Sequence, residues 1–328
     1  MARLVAAFGS SHSPMLAARA EDWNGGFLSR DRARPHVDLD GNPCNYDTLL
    51  ARAPGDAMER IDPELLACRH ADITAAIDRL ADDITRSELD ALIVVGDDQK
   101  ELFDDTNMPA IGIYYGDTIR NAAASSVTGD DWMAVARRRY HEPHGPADHP
   151  CCARLARHLI EALQGDGFDI SVMGGTAEGK YEGHAFSWVH RFCMKHGVVP
   201  IVPVFLNAYY PPNQPTPERC YALGEAIARA VAAHPGDLRI GVLASGGLSH
   251  FVVDEAFDRA LLDALRRKDA TFFRDAPLAK LQSGSSEIRN WICMAGTLGQ
   301  LEPAWVAYVP GYRTPALTGT GLAFASFR

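Results

Sequence analysis

The sequence predicts an α/β protein, a single domain with a central mostly parallel or mixed sheet flanked by helices and interrupted by long loop insertions. Three observations predict it. Short apolar runs recur along the 328 residues, segments with apolar residues at helical spacing separate them, and several runs end abruptly in glycines and polar side chains. Taken in order, strands are expected at 3 to 8, 90 to 96, 109 to 114, 169 to 173, 199 to 205, 238 to 244, 304 to 309 and 321 to 327. Between them, Ile73, Ile77, Leu80 and Ile84 share one helix face, as do Leu155, Leu159 and Leu163, and later Leu261, Leu262 and Leu265. The turn "YYPPNQPTPERC" leads into a further helix, with Thr216 as N-cap, Pro217 in the first helical position and Glu218 in the first turn. Two segments, 15 to 62 and 116 to 150, are rich in Gly, Pro and charge and have no clear period. They are read as loops over the sheet edge, in the position of lids.

Composition narrows the function classes. With 47% hydrophobic and 23% charged residues the chain has the balance of a folded globular protein, and its formal charge of −10 excludes a polyanion-binding face, so no nucleic-acid partner is expected. The N-terminal apolar stretch spans about seven residues, too short for a signal peptide or a membrane span, so a cytoplasmic protein with no membrane partner is expected. Seven cysteines are scattered without a CxxC pair, which indicates reduced thiols and no zinc knuckle.

Ligands of open α/β sheets bind beyond the carboxyl ends of strands, so polar residues there are the candidates. "GSSHSP" places His12 just after the first strand. "VVGDDQKELF" ends a strand in Asp97, Asp98 and Gln99, where acids are usually turn formers. In "LASGGLSHF", Gly246 and Gly247 allow close approach of backbone to a ligand before Ser249 and His250. "SGSSEIRNWICMAG" offers Ser285 or Ser286 as a helix cap with Glu287 in the first turn. In "YEGHAFSWVHRF", His184 and His190 are six apart, which excludes an HxxxH metal pair, so at most one belongs to a site. His12, Glu287 and a further histidine suggest a metal held by mixed imidazole and carboxylate ligands, the 2-His-1-carboxylate pattern of non-haem Fe(II).

In the joint order of "SSHSP", "LIVVGDDQ", "IVPVFLNAYYPP", "SGGLSH", "SGSSEIRNWICMAG" and "TPALTGTGLAFASF", the chain resembles the class III extradiol ring-cleavage dioxygenases. The resemblance is to the β-subunit type of protocatechuate 4,5-dioxygenase and its gallate and 3-O-methylgallate relatives. It implies O2-dependent meta cleavage of a catechol- or gallate-type ring, 3-O-methylgallate included, with His12 and Glu287 as metal ligands. By the same resemblance His250 is the acid/base and His184 a second active-site histidine. Ser249, Gly247 and Arg289 are the substrate-binding candidates, with Lys100 a further partner for a substrate carboxylate.

The chain departs from the family at Gln99, where the protocatechuate enzymes carry the third ligand, a histidine. Three accounts stay open: Gln99 binds through its amide oxygen, favouring Mn(II) or Mg(II) over Fe(II); Asp98, Asp97 or a loop histidine such as His144 or His149 replaces it; or the metal is lost. The expected cofactor is Fe(II), with Mn(II) as the alternative. Expected partners are a small aromatic substrate, O2 and a second copy of the chain in a dimer, with a small helical partner subunit left open. The rival readings are a metal-dependent hydrolase or lyase on the same scaffold and a non-catalytic subunit of a heteromeric dioxygenase.

Overall fold

In the computed structural model, which describes residues 1–328, all eight expected strands form. In chain order the main sheet contains β1 (Arg3–Ser10), β2 (Ala91–Asp97), β3 (Ile111–Tyr114), β4 (Ser171–Met173), β5 (Ile201–Leu206), β6 (Arg239–Ser245), β7 (His250–Val252), β8 (Pro303–Tyr312) and β9 (Thr318–Phe327). β7 was not expected; three residues are too few to show a period. The strand order is β7-β9-β1-β6-β2-β5-β3-β4, with β8 also paired to β9. β1, β6, β2 and β5 are parallel neighbours, while β9 runs antiparallel to β1, β7 and β8, so the sheet is mixed.

The helices used below are α1 (Ala20–Ala33), α2 (Pro63–Arg86), α3 (Trp132–Arg138), α4 (Ala153–Gly165), α5 (His184–Trp188), α6 (Pro217–Ala233), α7 (Glu255–Arg267) and α8 (Ile288–Thr297). Alternation along β2 separates two cores. Ala91, Ile93 and Val95 pack with α4, α6, α7 and α8, whereas Leu92 and Val94 pack with α1, α2 and α5. The expected helix faces at Ile73, Ile77, Leu80 and Ile84, at Leu155, Leu159 and Leu163, and at Leu261, Leu262 and Leu265 are buried. α6 begins as expected, with the Thr216 hydroxyl accepting from the Arg219 amide at 3.2 Å.

The two segments read as structureless loops need correction. Residues 15 to 62 contain α1 and a shorter helix at Tyr46–Ala51; residues 116 to 150 contain α3 and a hairpin of Thr118–Asn121 with Ala147–Pro150. α1 escaped notice because only Trp23 and Phe27 of its apolar residues are buried and Gly25 and Gly26 interrupt it. Its packing is tertiary: Phe27 lies 4.4 Å from the Trp132 ring of α3, and Gly26 makes room for that indole, since a β-carbon there would come within 2.4 Å of Trp132 Cε2.

One buried ion pair ties α1 to the sheet. Arg313, between β8 and β9, donates to both oxygens of Asp31 at 2.7 and 2.8 Å, and the Thr318 hydroxyl donates to the same carboxylate at 2.6 Å. Burial alone would raise the Asp31 carboxyl, but Arg313 and Thr318 outweigh it and hold its pKa below the ordinary value. Asp31→Ala leaves the Arg313 guanidinium without its partner and is expected to cost about 3–5 kcal/mol in denaturant unfolding. Because the native pKa is depressed, the wild-type contribution is complete above the unfolded Asp value, about 4, and is lost as pH falls through the native value. The difference between wild type and Asp31→Ala is therefore expected to shrink only in acid.

Candidate active site

Four parallel strands deliver the site. His12 follows β1, Asp97 ends β2 with Gln99 just beyond, Tyr209 follows β5, and Gly247 and His250 follow β6. His184 opens α5, and Glu287 closes the 3-10 turn Ser283–Glu287 that feeds α8. Ligand atoms of His12, Asp97, His184 and Glu287 lie within 4.8 Å of one another.

The imidazoles are turned by their outer hydrogen bonds. The Ser245 hydroxyl gives its proton to the Ala185 carbonyl at 2.7 Å, so toward His12 Nδ1, 3.0 Å away, it acts as acceptor and Nδ1 carries the proton. His12 Nε2 is left as a lone pair facing the cluster, 3.2 Å from Glu287 Oε2, buried and without a hydrogen-bond partner. His184 is fixed in the same way: its Nδ1 lies 2.7 Å from Glu101 Oε2, its backbone amide donates to Glu101 Oε1 at 2.9 Å, and Nε2 faces Asp97. A carboxylate behind an imidazole is the usual support of a metal-ligating histidine.

Glu287 is held from three sides. The Gly247 amide donates to Oε2 at 2.7 Å, the Tyr209 hydroxyl donates to Oε1 at 2.7 Å, and His250 Nε2 lies 3.3 Å from Oε1. His250 Nδ1 sits 2.7 Å from the Leu248 carbonyl and must donate to it, so Nε2 is the nitrogen that faces Glu287 and the Tyr209 hydroxyl. The ring lies against Gly284, where a β-carbon would come within 2.0 Å of His250 Cδ2, so only glycine fits there.

Crowding of anions shapes the titrations. Burial and the charge of Glu287 push Asp97 up to about 6. Burial works against a charged His184, but Glu101, Asp97 and Glu287 outweigh it and raise the imidazole to about 10. Burial would likewise raise Glu287, yet the His250 and His12 imidazoles hold it well below the usual carboxylate range. Without a cation the cluster keeps protons in the space a cation would fill. Two imidazoles, two carboxylates and an orphaned, buried Nε2 lone pair are a donor set that fits a divalent transition-metal ion.

The expected site residues divide. His12, Glu287, His184 and His250 converge, and the Gly247 amide touches Glu287. Gln99 also reaches the cluster, its amide nitrogen lying 3.4–3.5 Å from Asp97, His184 and Glu287. Asp98 does not: both its oxygens accept the backbone amides of Glu101, Leu102 and Phe103, so it builds the turn after β2 while Asp97 faces the cluster. Ser249 is not at the site either, because its hydroxyl donates to buried Asp258 at 2.7 Å. Arg289 is buried on carbonyls, with Nε donating to Pro215 at 2.9 Å and Nη1 to Leu281 at 3.1 Å. Two residues on from Glu287, it points roughly 200° around the helix. Lys100 pairs with Asp105. Ser285 braces β7 by accepting the His250 amide at 2.8 Å and so does not cap α8.

Both loop histidines are excluded as the third ligand. His144 is exposed. His149 belongs to a separate group with Glu182 and His190, where His190 Nδ1 meets Glu182 at 2.8 Å. The His149 and His190 rings stack at 4.1 Å and 20°, so their in-plane lone pairs do not converge on one point. Sequence reasoning missed Glu101 and Tyr209. The only signal for either is position, just past the ends of β2 and β5.

His12, His184, His250 and Glu287 line a cavity of about 410 Å³, whose walls include Phe27 from α1, Met133 from α3 and Tyr140 just past α3. A family model described as the catalytic LigB subunit of aromatic ring-opening dioxygenase matches residues 74–323. The chain belongs to this ring-opening dioxygenase family. Among curated relatives, it is 32% identical to the gallate dioxygenase of Pseudomonas putida (strain KT2440) over 160 residues, 44% of this chain and 45% of that protein. It is 33% identical over 120 residues to a 2,3-dihydroxyphenylpropionate/2,3-dihydroxicinnamic acid 1,2-dioxygenase of Comamonas testosteroni, 36% of this chain and 35% of that protein. The matched stretches thus span less than half the length of either relative.

If the cluster holds the ion, His12→Ala and Glu287→Ala are expected to abolish stoichiometric metal measured by elemental analysis after dialysis. Gln99→Ala, which leaves both imidazoles and both carboxylates, is expected to weaken retention by no more than about 10–100-fold.

Proposed function

We propose that this chain is a metal-dependent extradiol dioxygenase that opens the ring of a catechol- or gallate-type diol with O2, 3-O-methylgallate among the candidates. The observation that carries this reading is the placement of His250 Nε2 against Glu287, in one cavity with the inward-facing Nε2 atoms of His12 and His184. His12, His184 and Glu287, with Asp97 and Gln99 beside them, would hold the ion, and Fe(II) suits two imidazoles and a carboxylate, with Mn(II) as the alternative. On this reading His184 supplies the second imidazole that the Gln99 position lacks. The bound ion would act as a Lewis acid on the diol oxygens and as the redox partner of O2.

The protein's own residues do the rest. His250 Nε2, backed by the Leu248 carbonyl, takes a proton from the diol and can return it to the opening ring, a role suited to an imidazole. Tyr209 and the Gly247 amide keep Glu287 in place during that transfer. α1 and α3 contribute Phe27 and Met133 to the walls against which the ring would lie. Two features disfavour the hydrolase or lyase reading, which needs carboxylates to dominate: two imidazoles face the cluster, and Asp98 is turned away from it. An intact acid/base and donor set likewise disfavours a purely structural subunit.

Oxygen uptake with a gallate-type substrate tests the reading. One O2 is expected per ring opened, with no turnover under argon; anaerobic turnover would support the hydrolase or lyase instead. His250→Gln is expected to lower kcat by about 10²–10⁴-fold while leaving metal content unchanged.

A further inference from the structure

The cavity is bipolar. Its floor carries Glu287, His12 and His184, with Asp97 beside them, and its lining also carries the exposed Arg30 and Arg137 and the half-buried Arg34, joined by Arg313. Arg313 is consumed by Asp31. The other three guanidiniums make no ion pair and donate no hydrogen bond within the chain, although this protein pairs most of its arginines. The acids beside them are already engaged: Asp31 by Arg313 and Thr318, and Asp131 by the Met133 and Ala134 amides at the start of α3. Arg34 is held with its carbon 3.3 Å over the Phe251 ring, next to His250, which leaves its N–H edge free. Burial, together with the charge of neighbouring guanidiniums, depresses Arg30 and Arg34.

We propose that Arg30, Arg34 and Arg137 form an anion subsite that binds the carboxylate of a carboxylated aromatic diol and directs its diol edge toward the floor. The diol half of this ligand rests on the ring-cleavage reading; the anion subsite does not. Asp97, Glu287 and Glu101 disfavour a carboxylate at the floor, and once the two diol oxygens face the ion held there, the ring's carboxylate is left for the arginines. A guanidinium edge binds a carboxylate through two parallel N–H donors, which fixes the ring's direction as well as its affinity. All three arginines come from the two segments without period, so these segments set which diol is accepted. Neutral diols can reach the floor, but they offer the three guanidiniums no carboxylate.

The test is anaerobic equilibrium dialysis of the Fe(II)-loaded protein with gallate, pyrogallol and benzoate, in wild type and in Arg34→Gln, Arg137→Gln and the double variant. Gallate is expected to bind about 10–100-fold more tightly than pyrogallol, as charged hydrogen bonds of ordinary strength imply. Each single variant is expected to lose most of that preference, with pyrogallol affinity changed less than about twofold. A gallate preference that is absent in wild type, or that survives the double substitution, overturns the subsite. If neither diol binds, the ring-cleavage reading fails on its own account. Benzoate then decides: binding to wild type that disappears in the double variant supports the subsite, and no benzoate binding, or binding the variant keeps, overturns it.

Discussion

Two carboxylates, Asp97 and Glu287, are buried in one cluster with His12 and His184, and the rest of the site follows from what that burial requires. Charge of one sign in a medium of low dielectric is tolerated only with protons or a cation. The chain shapes its outer contacts for the second solution. Ser245 and Glu101 take the outer nitrogens of the two imidazoles, and Gly247 and Tyr209 take the outer lone pairs of Glu287. The lone pairs that remain point at a common space. Position at the carboxyl ends of β1, β6, β2 and β5 makes this possible, because parallel strands bring residues distant in sequence to one rim.

The same constraint gives the cavity its polarity. An anionic floor repels a carboxylate-bearing ligand unless positive charge waits at the entrance to hold its carboxylate there. α1 and α3 supply that charge, and Asp31 with Arg313 pins α1 to the turn between β8 and β9. On the proposed reading, chemistry sits on the strand ends, while selection sits on the helices that cover them. Fold and specificity meet in one ion pair, since releasing α1 would free Arg30 and Arg34 together.

Much of the fold was legible in the sequence, for a physical reason. Buried strands such as β2 and β5 are continuous apolar runs, and helices such as α2 repeat Ile and Leu at the spacing of a turn. α1 was not legible because two aromatics and two glycines give no period, and its position depends on Trp132 and Arg313, far away in sequence. In the site, the resemblance pointed to His12, Glu287, His184 and His250, and the structure gathers all four. Arg289 misled because closeness to Glu287 in sequence placed it on another side of the helix. Asp97 and Asp98 are adjacent and chemically alike, and only the turn at residues 98 to 103 decides which faces inward. Glu101, Tyr209 and the arginines were invisible because each acts through neighbours that the chain brings together only on folding.

The central claim is that one divalent ion sits among His12, His184, Glu287 and Asp97. Anomalous diffraction from crystals soaked anaerobically in Fe(II), with data on both sides of the iron edge, tests it most directly. The account predicts one strong anomalous peak between His12 Nε2 and the Glu287 carboxylate, with His184 turned toward it. A peak at the His149, Glu182 and His190 group alone, or no peak in the cavity, would contradict it.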